Sequence, residues 1–171
     1  MNKALRYKCI GYGIILLIAY IFQSMAHSPI AAMGYTPNLM LLLTLAVAYR
    51  ESETFAAFYG LSAGILYDVI TNETVGLCAV FFMFLGFFMS IALQTIFRRL
   101  FLTYLFVALG ALCIFYLFNY LFYILLHGSI PFWSTLRYVC LPQILLGGIW
   151  AYPAFYVIYR YEVSLKRRGI V

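Results

Sequence analysis

The chain has 171 residues, of which 66% are hydrophobic and only 9% charged, with a net charge of +6. So few charges cannot clothe a water-soluble domain. Apolar runs such as Ile14-Ile15-Leu16-Leu17-Ile18 and Phe81-Phe82-Met83-Phe84-Leu85 are continuous, which excludes the alternation of a membrane β-barrel.

These features predict an all-α integral membrane protein, a single transmembrane domain over residues 1–171 that lies in the lipid bilayer as a six-helix bundle. Span 1 covers 9–26, behind Lys3, Arg6 and Lys8. Ser24-Met25-Ala26 imitates a signal-peptide cleavage site, but the segment is read as a retained span. Span 2 covers 37–49, with Thr36 as N-cap and Pro37 as the first helical residue. It is short for a hydrocarbon layer of about 30 Å, and Arg50-Glu51-Ser52-Glu53 follows as a tight polar turn.

Span 3 covers 54–71 and ends at Asn72-Glu73-Thr74, a short match to the glycosylation pattern. Span 4 covers 75–97 and ends at Arg98-Arg99, and span 5 covers 100–126. Residues 127–137 read as a loop carrying Pro131, Trp133 and Arg137. Span 6 covers 138–159, and Pro142, Gly147-Gly148 and Pro153 make it the span most disposed to kink. The tail from Arg160 is basic. Alternating the spans puts every Lys and Arg on one side except Arg137, which predicts that both termini are cytoplasmic. Basic residues at span ends orient membrane helices, so the positive charge does not point to nucleic acid. Four scattered cysteines without a C-x-x-C pair indicate neither zinc nor redox chemistry.

Asp68 is the only acid inside a predicted span. At 100° per residue, Ala57, Gly60, Gly64 and Asp68 fall within about 80° of one another on a helix. Gly60-x-x-x-Gly64 allows another helix to approach closely. Two readings follow. Span 3 is a packing spine with Asp68 anchoring a partner or lining a cavity, or it crosses a neighbour of the same chain with Asp68 capping the start of span 4 or bonding nearby amides. Gly60-Leu61-Ser62-Ala63-Gly64 also matches a nucleophile elbow, but that motif needs a strand–turn–helix setting, and Ser62 and His127 fall at different depths. Asn38, Gln94, Asn119 and Gln143 are candidates for interhelical hydrogen bonds. His27 and His127 make a poor metal site, and no cofactor is indicated.

Pro37-Asn38-Leu39 opening span 2, Gly60-Leu61-x-x-Gly64-Ile65-Leu66-Tyr67-Asp68 in span 3 and Gly76-Leu77 opening span 4 resemble the rod shape-determining protein MreD family. The resemblance is specific over about residues 37–77, and the layout fits throughout. It implies a non-catalytic bacterial inner-membrane scaffold of the cell-elongation machinery. Such a protein binds a bitopic MreC-like partner and acts with the MreB cytoskeleton and the peptidoglycan polymerase–transpeptidase pair. It also implies a fold similar to the substrate-binding component of energy-coupling factor transporters. Pro37, Asn38, Gly60, Gly64, Asp68 and Gly76 carry over as structural or partner-contact positions. The scaffold reading expects a lipid-exposed small-residue groove on span 3 that another helix fills, and no closed ligand cavity. The alternative, a small-molecule-binding transporter component, expects Asp68, Asn119, Gln143 and His127 to converge on one outward-opening pocket. An intramembrane enzyme would need Ser62 and His127 within hydrogen-bond reach.

Overall fold

The computed structural model describes residues 3–25, 36–71, 76–95, 101–127 and 132–167. His27, Asn72-Glu73-Thr74, Arg98-Arg99 and Pro131 lie outside the described residues. The chain runs through α1 (Lys3–Ser24), α2 (Leu39–Ala48), α3 (Glu53–Thr71), α4 (Leu77–Thr95), α5 (Phe101–His127), α6 (Phe132–Thr135), a π-helical turn (Leu136–Cys140) and α7 (Leu141–Arg167). No strand occurs among the described residues. Five helical stretches are long and apolar enough to cross a membrane, and their outward faces carry large apolar side chains such as Leu17, Phe58, Phe106 and Ile149. The chain is a multi-pass membrane protein.

The second predicted span differs from the other five. α2 has ten residues, and all ten are buried. At 1.5 Å per residue it is about 15 Å long, half the hydrocarbon thickness. It packs against α1, α3, α4, α5 and α7. It is a rod enclosed by the other helices, with no lipid-facing side. Its N-cap is Asn38, and the Thr36 cap expected from the sequence is corrected: Asn38 Oδ1 accepts the Leu41 N–H at 3.0 Å, so the helix begins at Leu39. Pro37 lies ahead of the cap, its carbonyl accepting the Leu39 N–H at 3.0 Å.

The last span is also longer than expected. Helical structure resumes at Phe132 inside the predicted loop and continues to Arg167. Pro142 gives the physical reason for the π turn before it. Its ring crowds the carbonyl of Tyr138 four residues back and offers that carbonyl no N–H, so the turn widens and the Leu141 N–H bonds to the Leu136 carbonyl five residues away. Pro153 lies within α7.

The start of α1, the α2–α3 turn and the end of α7 meet at one end of the bundle. There Lys8 Nζ lies 2.9 Å from Glu51 Oε2, Arg50 lies 2.8 Å from Glu162 Oε2, and the Tyr161 hydroxyl donates to the Tyr7 carbonyl at 2.7 Å. This is called the basic end below.

Enclosure of α2 predicts a position-dependent response to truncation. Leu42→Ala, at a fully buried site, should lower stability by about 2–5 kcal/mol. Leu17→Ala, 54% exposed, should change it by no more than about 0.5 kcal/mol. Unfolding followed by circular dichroism in mixed micelles reads both.

Candidate functional site

The four motif residues from Gly60 to Gly76 meet at a single seam between α3 and α4. Gly60 and Gly64 are buried there. A Cβ built on Gly60 would lie 2.3 Å from the Phe82 carbonyl oxygen, and one on Gly64 2.3 Å from Ala79 Cα. On the other side, a Cβ on Gly86 would lie 2.5 Å from the Ala56 carbonyl oxygen. The two backbones touch where a side chain would hold them apart. The small-residue face is therefore filled by the chain's own α4, and the lipid-exposed groove expected on span 3 is corrected. Ala57, placed on that face by its spacing, is only half-buried, and Ala56 and Ala63 take the buried positions instead.

Asp68 closes the far end of the seam. Its Oδ2 accepts N–H groups from Gly76 at 2.8 Å and Ala79 at 3.2 Å, and its Oδ1 accepts the Cys78 N–H at 3.1 Å. The first amides of a helix have no partner within the helix. In a bilayer each would cost several kcal/mol if left bare. A carboxylate at a helix N-terminus also meets the positive end of the macrodipole. Gly76 makes this geometry possible, because its φ of +98° is one that L side chains rarely adopt.

Pro37 and Asn38 belong to a second cluster, at the N-terminus of α2. Besides the Asn38 cap, Gln23 Oε1 of α1 accepts the Leu39 and Met40 N–H groups at 3.1 and 3.4 Å. The three exposed donors of α2 thus all find side-chain acceptors inside the bundle. Gln23 escaped the sequence reading because one amide near the end of an apolar span carries no pattern.

The basic end forms a third cluster, which was read from sequence as a polar turn. Glu51 is buried, with its two carboxylate oxygens bonded to Lys8 and to the Tyr12 hydroxyl, each at 2.9 Å. Its backbone carbonyl accepts Ser90 Oγ at 3.0 Å and also the Gln94 amide. Buried Glu162 takes Arg50 at 2.8 Å and Lys166 at 2.7 Å. The Arg50 guanidinium lies 4.8 Å from the Tyr159 ring centroid and 5.4 Å from that of Phe155, within cation–π range. Removing one partner of such a buried pair would leave an uncompensated charge inside the bundle, which is strongly destabilising.

The remaining polar candidates divide. Gln94 joins the Glu51 cluster. Asn119 donates to the Phe115 carbonyl of its own helix at 3.1 Å. Asn119 and Gln143 both line a cavity of about 460 Å³ between α3, α5 and the α6–α7 stretch, away from the basic end. Asp68 does not line it, and the His127 side chain lies outside what the structure describes. Ser62 is exposed and donates to the Phe58 carbonyl at 2.8 Å in the middle of α3. No cluster of three or more His, Cys, Asp or Glu occurs among the described residues.

The sequence model of the family described as rod shape-determining protein MreD matches residues 7–162. No curated protein and no solved structure matches the chain, so the expected likeness to a transporter substrate-binding component finds no counterpart.

The seam geometry predicts a graded response to substitution. Asp68→Ala leaves the Gly76 amide and two α4 amides bare and should destabilise by roughly 2 kcal/mol or more. Asp68→Asn, which keeps one acceptor oxygen, should cost less. Gly64→Leu should prevent α3 and α4 from closing, so that little folded protein is recovered. Chemical unfolding in micelles ranks the three.

Proposed function

Because the chain belongs to the rod shape-determining protein MreD family, we propose that it is a non-catalytic inner-membrane scaffold of the bacterial cell-elongation machinery. In this role it binds an MreC-like bitopic membrane protein. The MreB cytoskeleton and the peptidoglycan polymerase–transpeptidase machinery are reached directly or through that partner. The observation that carries the reading is the family match over 7–162, which runs from α1 into α7 and leaves out none of the helices.

The interior supports a scaffold. Its buried acids are bonded to cations, hydroxyls and amides of the same chain, which makes a body held in one shape. The gathering of Lys8, Arg50 and Lys166 at one end supports a cytoplasmic position for that end and for both termini. Pro37, Asn38, Gly60, Gly64, Asp68 and Gly76 serve this reading as structural positions. They build the α2 cap and the α3–α4 seam and leave the partner to other surfaces.

Pull-down of the tagged chain from detergent-solubilised bacterial membranes tests the proposal. A single-span protein with a coiled-coil segment should copurify. Recovery of a bound metabolite with no protein partner would contradict it. In the same experiment Asp68→Asn should leave partner recovery per folded chain unchanged. A selective loss from folded protein would place Asp68 at the partner interface.

A further inference from the structure

The cavity between α3, α5 and the α6–α7 stretch has a lining unlike the rest of the intramembrane surface. Most polar groups in the spans bond to backbone or to each other, as the environment demands. Here several line one space. Asn119 and Gln143 contribute amides, and Thr71 and Thr135 line the same wall, the Thr71 hydroxyl bonded to the Tyr67 carbonyl of its own helix at 3.2 Å. The Asn119 nitrogen is engaged by its own helix, which leaves its oxygen directed to other partners. No hydrogen bond reaches the Gln143 side chain among the described residues, although the residue is half-buried.

Around these groups stand the rings of Tyr67, Phe115, Tyr116 and Tyr120. At about 460 Å³ the cavity falls within the size range of small-molecule sites. A second, independent feature marks the same wall: Val139 and Cys140 of the π turn line it. Such turns occur often at functional sites because they displace side chains from the regular helical surface.

The lining also defines the ligand. None of the residues named carries a formal charge, so an ionised group here would lose its hydration without gaining a counter-charge. Aromatic faces favour a ring with apolar faces. Amides and hydroxyls at the edges favour a ring whose rim carries hydroxyls.

We propose that this cavity binds an uncharged, hydroxyl-rich ring, namely a sugar presented by a membrane glycolipid or as a free saccharide. Asn119 and Gln143 hold its hydroxyls, and the tyrosine rings pack on its faces.

Photolabelling of the full chain in phospholipid nanodiscs tests this. The probes are diazirine-bearing octyl glycosides of glucose and of N-acetylglucosamine, the two free sugars with the same tag, and an octyl chain with an uncharged ethylene-glycol head. At least one sugar probe should label residues within 116–120 and 135–143 saturably, well above the ethylene-glycol control. Gln143→Met and Asn119→Leu should each weaken saturation roughly tenfold, the equivalent of one or two lost hydrogen bonds. Labelling that needs the octyl tail assigns the site to a glycolipid, and labelling by the free sugar assigns it to a soluble saccharide. If the ethylene-glycol probe labels these residues as strongly, or if neither variant weakens the sugar probes, the proposal fails. Gln143 is half-buried and its change to Met conserves volume, so this variant remains informative if Asn119→Leu folds poorly.

Discussion

The amides at the start of a helix must bond to something, and in this protein a helix starts inside the bundle. The N-terminus of α2 is buried, and Gln23 and Asn38 are the groups that take its N–H bonds. With those bonds made, a ten-residue helix can be buried on every side. Five longer helical stretches can then surround it and face lipid with apolar side chains. The Tyr104 hydroxyl, donating to the Leu42 carbonyl at 2.9 Å, ties α5 to the same rod midway along it.

The same rule applies at each end of the bundle. At the basic end Glu51 and Glu162 are drawn inside because Lys8, Arg50, Lys166 and Tyr12 meet them there. At the opposite end Asp68 is buried because α4 presents its bare amides to it. Polar groups in a low-dielectric medium are costly when unpaired and firm when paired. The outcome is a body of fixed shape with a mostly apolar exterior, which is what assembly within a bilayer requires. A family that determines cell shape has use for such a body. The cavity at Asn119 and Gln143 departs from this pattern, because no hydrogen bond reaches the Gln143 side chain that lines it among the described residues.

Much of this architecture is legible in the residue string. Scarcity of charge and long apolar runs mark the membrane helices, and Gly60, Gly64 and Asp68 fall on one face by helical arithmetic alone. What fills that face is not legible, because a small-residue stripe reads the same whether its neighbour is α4 or another protein. The enclosure of α2 is hidden for a similar reason: Leu39 to Leu43 are apolar whether they meet lipid or protein, and only the shortness of the run hints at it. Arg50 and Glu162 are 112 residues apart, and no local spacing joins them. Pro142 is a visible signal for distortion, but a proline in the residue string reads the same whether the backbone answers with a kink or with a widened turn. Asn119 and Gln143 are expected at one pocket with Asp68 and His127 under the transporter reading; the folded chain brings the two amides to one cavity, while Asp68 is taken by the start of α4.

The most direct test of this account labels the unmodified protein in a bilayer with a small apolar carbene reagent dissolved in the lipid, and locates the modified residues by mass spectrometry. The account predicts labelling along α1, α3, α4, α5 and α7 at outward positions such as Leu17, Phe58 and Ile149, with residues 40–48 of α2 left unmodified. Labelling of Met40–Ala48 as strong as that of α1 would contradict it, because α2 would then face lipid and could not be the enclosed rod around which the other helices pack.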